Sequence, residues 1–237
     1  MMLMKRRDFL KVGAAAGAMS SLYGCAGGHV VVVGGGYGGA TIAKYLRMWS
    51  EGSVQVTLIE RNANFVSCPI SNLVIAGQKN MEDITVSYDN LKSKWGVRVI
   101  QDDVVAVDAN KRSISLKAGG NMSYDRLVLS PGVDFMFDQI PALKSADAQE
   151  KILHAWKAGP QTVALRKQLE AMKDGGTFAI SIPKAPYRCP PGPYERACLV
   201  ASYFKQNKPK SKVVILDANE DVQSKKALFT KAWADLY

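Results

Sequence analysis

The chain has 237 residues, of which 47% are hydrophobic and 22% are charged. This composition is typical of a globular protein with one large or two small domains, and it excludes disordered, collagenous and disulfide-stapled small proteins. The formal net charge is +10, and residues 1–11 hold three of these positive charges. Because the rest are spread without long basic runs, we expect no nucleic-acid partner and favour an anionic small substrate or an acidic protein partner.

The N-terminus has the layout of a twin-arginine export signal. Residues 5–11 read Lys-Arg-Arg-Asp-Phe-Leu-Lys, and a weakly apolar stretch rich in Ala and Gly follows at residues 12–22. That stretch is shorter than the roughly 20 residues that span a bilayer, so we predict no transmembrane segment. We assign residues 1–28 to the signal and expect a periplasmic protein, with an ordinary amphipathic helix as the alternative. Residues 22–25 also resemble a lipoprotein cleavage box, with Cys25 as the lipid-attachment residue.

The first predicted strand runs from His29 through four consecutive valines at residues 30–33. A continuous β-branched run of this kind indicates a strand buried on both faces of a parallel sheet. It leads into Gly34-Gly35-Gly36-Tyr37-Gly38-Gly39, followed by a predicted helix at residues 40–48 and a strand at residues 55–59 that ends at Glu60. Glycines in the pattern G-x-G-x-x-G between a strand and a helix, with an acid about 20 residues further on, predict a dinucleotide-binding βαβ unit.

Each residue of this motif has a physical role. Gly34 permits the tight turn, Gly36 lets backbone N–H groups reach a pyrophosphate, and Gly39 lets the helix pack closely on the strand. The helix N-terminus then faces the phosphates. We expect Glu60 to accept hydrogen bonds from a ribose hydroxyl, and its charge would repel a 2′-phosphate. The motif therefore favours FAD or NAD over NADP.

Four further strands complete the first part of the chain, at residues 95–100, 103–108, 113–117 and 124–129. The last of them leads to Ser130-Pro131-Gly132. Residues 144–174 have a helical pattern that predicts a connection and one surface helix.

A second βαβ pattern follows, with strands at residues 177–182 and 212–217 and a helix at residues 193–204. Its loop, at residues 183–193, is rich in proline and contains a single glycine. Proline has no backbone N–H group, so this loop cannot form a phosphate cradle. We therefore do not expect the second unit to bind NAD.

Three cysteines remain beyond the signal, and they are Cys68, Cys189 and Cys198. None forms a C-x-x-C pair, and the only histidines, His29 and His154, are far apart in the sequence, so we predict no metal site.

Cys189 lies four residues before Pro193, where the second helix is expected to begin. The positive end of that helix and the neighbouring Arg188 would favour a thiolate, which makes Cys189 a redox candidate, with inert packing as the alternative. Cys198 lies within the same helix, where a small buried hydrophobic role is expected. A disulfide between Cys189 and Cys198 is disfavoured because the Cα atoms would exceed the limit of about 7 Å.

The chain resembles the two-dinucleotide-fold flavoproteins related to glutathione reductase, whose first nucleotide is FAD. The resemblance rests on the Gly34–Gly39 motif followed by the strand that leads to Gly132. Residues 68–72 (Cys-Pro-Ile-Ser-Asn), 154–159 (His-Ala-Trp-Lys-Ala-Gly) and 188–197 (Arg-Cys-Pro-Pro-Gly-Pro-Tyr-Glu-Arg-Ala) further resemble the flavoprotein subunits of flavocytochrome c sulfide dehydrogenases.

That resemblance implies an α/β fold of two Rossmann-like dinucleotide-binding folds of the glutathione-reductase type. It implies an FAD-binding domain at residues 29–143, with Gly132 as a further cofactor-binding residue, and a second Rossmann-like domain at residues 144–237. Related chains continue well beyond the position of Tyr237, so the resemblance implies a chain that ends before the fold is complete. The 237 residues alone are therefore expected to bind FAD poorly and to lack turnover.

The resemblance also implies the chemistry. Cys68 would bind the flavin covalently as a thioether, and Cys189 would be half of a redox-active disulfide. Glu195 would be a proton acceptor, with a carboxylate that merely complements the helix dipole as the alternative. Sulfide would be oxidised to sulfur or polysulfide, with electrons passed to a c-type cytochrome subunit that carries the haem. A sulfide:quinone reductase relative and a truncated, non-catalytic remnant are the alternative readings.

Overall fold

The computed structural model describes residues 27–237, which fold as two compact units. Unit 1 comprises residues 27–65 and 87–134, and unit 2 comprises residues 66–86 and 135–237. This division differs from the sequence-based one, which placed the boundary after residue 143 and assigned residues 66–86 to the first domain. Residues 66–86 belong to unit 2 because their helix packs on two helices of that unit.

The elements of both units follow in chain order. The first half of the chain contains β1 (His29–Val33), α1 (Tyr37–Trp49), β2 (Gln55–Glu60), β3 (Asn64–Val66), α2 (Ser71–Ile75), β4 (Thr85–Ser87), α3 (Asp89–Trp95), β5 (Arg98–Gln101) and β6 (Val104–Asp108). The second half contains β7 (Ser113–Leu116), β8 (Asn121–Ser123), β9 (Arg126–Leu129), α4 (Ala146–Lys151), α5 (Pro160–Ala171), β10 (Thr177–Ile182), α6 (Gly192–Asn207), β11 (Lys212–Asp217) and α7 (Lys226–Leu236).

Unit 1 is built on a four-stranded parallel sheet with the order β5-β2-β1-β9. Strand β1 lies inside this sheet, where Val31 is paired with Thr57 of β2 and with Leu127 of β9. Val31 and Val32 are fully buried, which confirms the prediction of a strand covered on both faces. Because the strand order reverses at β1, its carboxyl end is the place where open α/β sheets bind their ligands.

Helix α1 packs on β1 and β2 and covers one face of this sheet. Its Ala43 is fully buried in a cluster with Val32 and Leu58. Strands β6, β7 and β8 form a separate antiparallel sheet, whose Ile114 packs against Val31 of the parallel sheet. Burial of each such side chain contributes about 1.5–3 kcal/mol, so the valine run holds β1 at the centre of unit 1.

Unit 2 contains the second βαβ pattern, with β10 and β11 paired in parallel over their whole length. Helix α6 crosses between them and packs on both strands. Tyr194, near the start of α6, is 1% exposed and packs on Ile182 of β10. Further along α6, Val200 and Phe204 pack against Leu169 of α5. The predicted βαβ pattern is therefore present.

Three local differences from the predicted elements have clear causes. Helix α1 begins at Tyr37, because the last two glycines of the loop are already helical. Trp95 ends helix α3 rather than starting β5, since Gly96 adopts the left-handed conformation that terminates a helix. Residues 144–174 hold two helices where one was predicted, and the longer one, α5, buries Leu165 and Leu169 on one side while Lys167 and Glu170 are exposed on the other.

Candidate functional site

The glycine loop of unit 1, residues 34–39, follows the carboxyl end of β1. Gly34 has a φ of +95°, and a Cβ atom there would lie 2.1 Å from the carbonyl oxygen of Ser130. A Cβ atom on Gly39 would lie 1.8 Å from the carbonyl oxygen of Gly34, which reflects the close packing of helix on strand. A Cβ atom on Gly36 would meet nothing within 4 Å. Two of the three glycines are therefore required by the fold, and the third borders open space.

That open space lies at the start of α1. Gly36 is the N-cap residue and offers no side chain to the first N–H groups of the helix, and the first turn contains no acidic residue. Helix N-termini with available N–H groups bind anions, because the groups and the helix dipole both favour negative charge. The glycine loop therefore fits the pyrophosphate of a dinucleotide such as FAD.

Glu60 reaches the loop from the end of β2. Its Oε2 accepts a hydrogen bond of 2.6 Å from the backbone N–H of Gly35, and its Oε1 accepts two from Asn62, of 2.9 Å from the backbone N–H and 2.8 Å from the side-chain amide. A carboxylate has about four lone-pair sites, so these bonds leave room for a ribose hydroxyl. Glu60 thus fixes the loop, a role that was not predicted, while its predicted contact with ribose stays a prediction.

Tyr88 stabilises the same loop through a hydrogen bond, and the sequence analysis did not identify it as a site residue. Its hydroxyl donates a hydrogen bond of 3.0 Å to the carbonyl oxygen of Gly35, and a Cβ atom on Gly35 would lie 2.5 Å from that hydroxyl. Burial, and then the charge of Glu60, raise the pKa of Tyr88 above its usual range, so the hydroxyl remains a donor. Tyr88 belongs to no recognisable motif, and the only signal was the third glycine at position 35.

Gly132, the last predicted cofactor-binding residue of unit 1, follows β9. It has a φ of +76°, and a Cβ atom there would meet nothing within 4 Å. Strand β9 is the neighbour of β1, and Ser130 just beyond it contacts Gly34 of the glycine loop. Gly132 therefore lies on the segment that continues from the edge of this loop, and its predicted contact with the cofactor stays a prediction.

Unit 2 contains a cavity of about 80 Å³ that we call the cysteine pocket. It brings together three of the predicted site residues, which are Cys68, Cys189 and Glu195. The other residues that line it are Pro69, Asn72, Ala155, Trp156, Arg188, Gly192 and Arg196. All of these residues belong to unit 2. The cavity has room for a few water molecules or a small ligand.

Cys189 is held in an unusual backbone conformation beside the start of α6. Its φ is +56°, which is uncommon for a residue with a side chain, and such residues concentrate at functional sites. The side chain is exposed, and a Cβ atom on Gly192, the first residue of α6, would lie 3.3 Å from Cys189 Sγ. The sulfur therefore lies at the positive end of a 16-residue helix, which favours negative charge.

Cys68 lies in the turn before α2. The backbone N–H and the hydroxyl of Ser71 both donate hydrogen bonds to its carbonyl oxygen, at 3.0 and 2.6 Å, and these bonds fix the turn. The half-buried thiol donates a hydrogen bond of 3.0 Å to the carbonyl oxygen of Trp156. Nη1 of Arg188, the residue before Cys189, lies 3.4 Å from the same oxygen. The two segments that carry the cysteines therefore converge on Trp156.

Two adjacent residues of α6 bring opposite charges to the cysteine pocket. Glu195 lies in the first turn and is exposed, with its backbone N–H bonded to the carbonyl oxygen of Pro191 at 3.0 Å. Arg196 is only 8% exposed and was not singled out in the sequence. Its Nε donates to Asn72 Oδ1 and its Nη2 to the carbonyl oxygen of Ala155, both at 3.1 Å. A buried cation thus lies among the predicted redox residues.

Cys198 does not line the cysteine pocket. It lies on α6, is half-buried, and accepts a hydrogen bond of 3.2 Å from the indole N–H of Trp233 on α7. This placement agrees with a packing role for Cys198. The structure contains no disulfide among the described cysteines: Cys68, Cys189 and Cys198 are free thiols.

The loop between β10 and α6 differs from the glycine loop of unit 1. Asp217 ends β11 as Glu60 ends β2, but its Oδ2 accepts a hydrogen bond of 2.5 Å from the buried hydroxyl of Tyr194. The side-chain amide of Asn219 donates to Asp217 Oδ1 at 2.7 Å and to the carbonyl oxygen of Pro183 at 3.0 Å. Burial opposes ionisation of Asp217, but the bonds from Tyr194 and Asn219 prevail and lower its pKa. The carboxylate is thus engaged by its own unit.

Some sequence-based expectations concern residues outside the described range. The export signal and Cys25 lie mostly or wholly within residues 1–26, so the structure does not address them. Within residues 27–237, none of the helices combines the length and the apolar character needed to cross a bilayer.

Three family models match the chain. Residues 28–170 match the pyridine nucleotide-disulphide oxidoreductases, and residues 162–237 match the central part of the flavoprotein chain of flavocytochrome c sulfide dehydrogenase. Residues 3–22 match the signal sequence of the twin-arginine translocation pathway. The last match confirms the predicted signal and with it export to the periplasm.

Individual proteins with similar sequences include sulfide dehydrogenase flavoproteins and sulfide:quinone oxidoreductases. The flavocytochrome c sulfide dehydrogenase flavoprotein chain of Chlorobaculum thiosulfatiphilum is 60% identical over 46 residues, which are 19% of this chain and 94% of that sequence. The mitochondrial sulfide:quinone oxidoreductase of Mus musculus is 28% identical over 189 residues, which are 78% of this chain and 41% of that protein. The chain therefore spans about two fifths of the length of this mouse protein.

Among solved structures, the sulfide:quinone oxidoreductase of Aquifex aeolicus superposes with a TM-score of 0.68 at 22% identity. The match covers 87% of this chain and 48% of that one. At this identity the likeness bears on the fold alone, and it confirms the predicted α/β dinucleotide-binding fold.

Proposed function

Because the chain belongs to the pyridine nucleotide-disulphide oxidoreductase family and to the flavoprotein chains of flavocytochrome c sulfide dehydrogenase, we propose that it takes part in FAD-dependent oxidation of sulfide to sulfur or polysulfide. The observation that carries this proposal is the cysteine pocket. Cys68 and Cys189 are 121 residues apart in the sequence, yet both line one small cavity together with Glu195. A sulfur atom that sulfide can attack, at Cys189, and a proton acceptor, at Glu195, would then lie in one place beside the flavin tether at Cys68.

The glycine loop supports FAD as the cofactor. Gly34, Gly36 and Gly39, with Gly132 nearby, would hold the pyrophosphate side of the cofactor, and Glu60 would bind the ribose. Cys68 would tether the flavin as a thioether, which is consistent with its half-buried position in a turn fixed by Ser71. Bound FAD supplies an acceptor for two electrons that can release them one at a time.

Cys189 would act as one half of a redox-active disulfide. In that disulfide Cys189 would be joined to a cysteine that is neither Cys68 nor Cys198. Hydrosulfide would attack Cys189 Sγ to form the S–S bond of a persulfide, and the bond to the partner cysteine would break and release its sulfur as a thiolate with the electron pair. Glu195, which is exposed at the pocket, would accept the proton of the substrate. The helix start beside Cys189 favours the anionic sulfur species that arise in this step.

The electrons would leave through a c-type cytochrome subunit. No haem-attachment motif occurs in the sequence, so the haem would be on that partner. The likeness to sulfide:quinone oxidoreductases supports a second candidate, in which a quinone takes the electrons instead.

Protein isolated from the periplasm of a producing strain tests these proposals. A flavin mass on the peptide that contains Cys68, abolished by Cys68→Ser, and sulfide-dependent reduction of a c-type cytochrome, abolished by Cys189→Ser, would support the proposal. Both results together would overturn the expectation that the 237 residues alone bind FAD poorly and lack turnover. Reduction of a soluble quinone in place of cytochrome would support the second candidate. A flavin-free protein without either activity would support the non-catalytic alternative. The mass of the mature N-terminal peptide tests the predicted lipid on Cys25.

We also propose that unit 2 does not bind NAD. Its loop begins with Pro183, which has no N–H group, and Asp217 is already hydrogen-bonded to Tyr194. Titration with NADH, followed by quenching of tryptophan fluorescence, should give no saturable binding. Saturable binding below millimolar NADH would contradict this proposal.

A further inference from the structure

Unit 2 contains a buried positive charge, that of Arg196, which the proposed reaction steps do not use. Its side chain lines the cysteine pocket and is 8% exposed, and the hydrogen bonds that it donates go to neutral oxygen atoms, those of Asn72 and Ala155. Within the described residues, no carboxylate oxygen lies within 4.0 Å of it. The carboxylate of Glu195 lines the same pocket but is not bonded to the guanidinium. A buried charge without a directly bonded counter-ion is costly, and proteins normally pair such a charge or bind an ion against it.

The guanidinium remains charged despite its burial. Burial lowers the pKa of Arg196 to about 10, and the neighbouring Cys68, Glu195 and Cys189 act in the opposite direction. At neutral pH the group is therefore a cation held in place by Asn72 and Ala155. Its position on α6, within two turns of the helix start, adds to the positive potential at Cys189.

We propose that the guanidinium of Arg196 is the anion-binding group of the cysteine pocket, where it holds a small anionic sulfur species beside Cys189. The cavity of about 80 Å³ admits an ion of this size, and the exposed Cys189 sulfur gives access from solvent. Resting on the proposed function, this identifies hydrosulfide, rather than neutral hydrogen sulfide, as the form that the pocket takes up. Arg196 is then the residue that determines specificity for charge.

Alkylation of Cys189 tests the anion site without any need for sulfide oxidation. Iodoacetate and iodoacetamide attack the same thiol by the same chemistry, but only iodoacetate is an anion. The ratio of their rate constants at Cys189, measured on the reduced chain by peptide mass spectrometry, therefore reports the charge of the pocket. We expect Arg196→Met to lower this ratio about fivefold or more at low ionic strength, and Arg196→Lys to retain most of it.

The matched control is Arg166→Met. Arg166 belongs to the same unit, packs over Tyr203 and pairs with Glu170, but does not line the cysteine pocket. We expect this variant to keep the wild-type ratio, which separates loss of the local charge from general loosening of unit 2. An unchanged ratio in Arg196→Met, or an equal loss in Arg166→Met, would overturn the assignment of Arg196.

The reaction itself gives an independent second measurement. If sulfide-dependent cytochrome reduction is observed, Arg196→Lys should raise KM for sulfide less than Arg196→Met does. A charge-selective pocket in a protein without sulfide turnover would remove the proposed function and leave the anion site intact. Sulfide turnover together with an unchanged alkylation ratio in Arg196→Met would support the proposed function and rule out the anion site.

Discussion

Alanine substitutions at Gly34 and Gly36 should affect different properties, although the two positions are only two residues apart. Gly34→Ala should lower the free energy of unfolding, and Gly36→Ala should lower flavin binding. At Gly34 the backbone has a φ of +95°, and the added Cβ would lie 2.1 Å from the carbonyl oxygen of Ser130 and 2.8 Å from its carbonyl carbon. At Gly36 the φ is −68°, and the added Cβ would meet nothing within 4 Å. The substitution at Gly34 therefore disturbs the backbone packing of unit 1, whereas the substitution at Gly36 only fills part of the open space beside the loop.

The magnitudes follow from these geometries. For Gly34→Ala, the left-handed backbone alone costs about 1 kcal/mol. The overlap with Ser130 involves backbone atoms that cannot rotate away, so β1 and β9 must separate locally, and the total loss should be about 3 kcal/mol or more. For Gly36→Ala, the conformation suits alanine and only a small capping effect remains, so the free energy of unfolding should change by less than about 1 kcal/mol.

Urea-induced unfolding followed by circular dichroism measures the free energy of unfolding, and the flavin content of the purified protein measures cofactor binding. Gly36→Ala should keep its stability but lose flavin, because its Cβ enters the space that a pyrophosphate needs. Equal stability of Gly34→Ala and the wild type would refute the account of the tight turn. Full flavin content in Gly36→Ala would refute the assignment of the open space to the cofactor.

Three other outcomes are expected. Tyr88→Phe removes the hydroxyl that donates to Gly35, so urea unfolding should show a loss of about 1 kcal/mol, and no loss would show that the buried hydrogen bond is dispensable. Burial raises the pKa of both Tyr88 and Tyr194 above the ordinary value of about 10, so the folded chain keeps protons that the unfolded chain releases. The free energy of unfolding should therefore fall as the pH rises above 10, with a shallower fall in Tyr88→Phe, and a pH-independent stability would contradict this. Trp233→Phe removes the donor to Cys198, so iodoacetamide should alkylate Cys198 faster than in the wild type, while an unchanged rate would show that burial alone protects it.

The elements that could be predicted are those whose pattern is set by local chemistry. The valine run of β1, the βαβ spacing up to Glu60 and the helix after the proline-rich loop all appear where they were expected. The short helices α2 and α3 could not be predicted, because five and seven residues are too few for a reliable apolar period. Their positions depend on tertiary packing, as shown by the way α2 brings residues 66–86 into unit 2.

The candidate site was predictable only in part, for a related reason. Glycines and cysteines can be singled out in a sequence because few other residue types have their conformational or chemical properties. Two of the cysteines singled out in this way, Cys68 and Cys189, line one pocket. Arg196 and Tyr88 are chemically important through burial and hydrogen bonding, which a single sequence does not reveal. Arginine is normally exposed, so only the three-dimensional structure shows that this one is a buried cation.

The two βαβ units place the carboxylate at the end of the second strand in different hydrogen-bond environments. In unit 1 the N–H of Gly34 donates to the carbonyl oxygen of Ile59 at 2.8 Å, the chain turns tightly, and Glu60 receives the N–H of Gly35. In unit 2 the corresponding residue after the first strand is Pro183, which has no N–H to donate. Asp217 is left to the hydroxyl of Tyr194 instead. The loop that follows the first strand thus decides whether the acid is bonded by the backbone of that loop, as Glu60 is by Gly35, or by a side chain of the following helix, as Asp217 is by Tyr194.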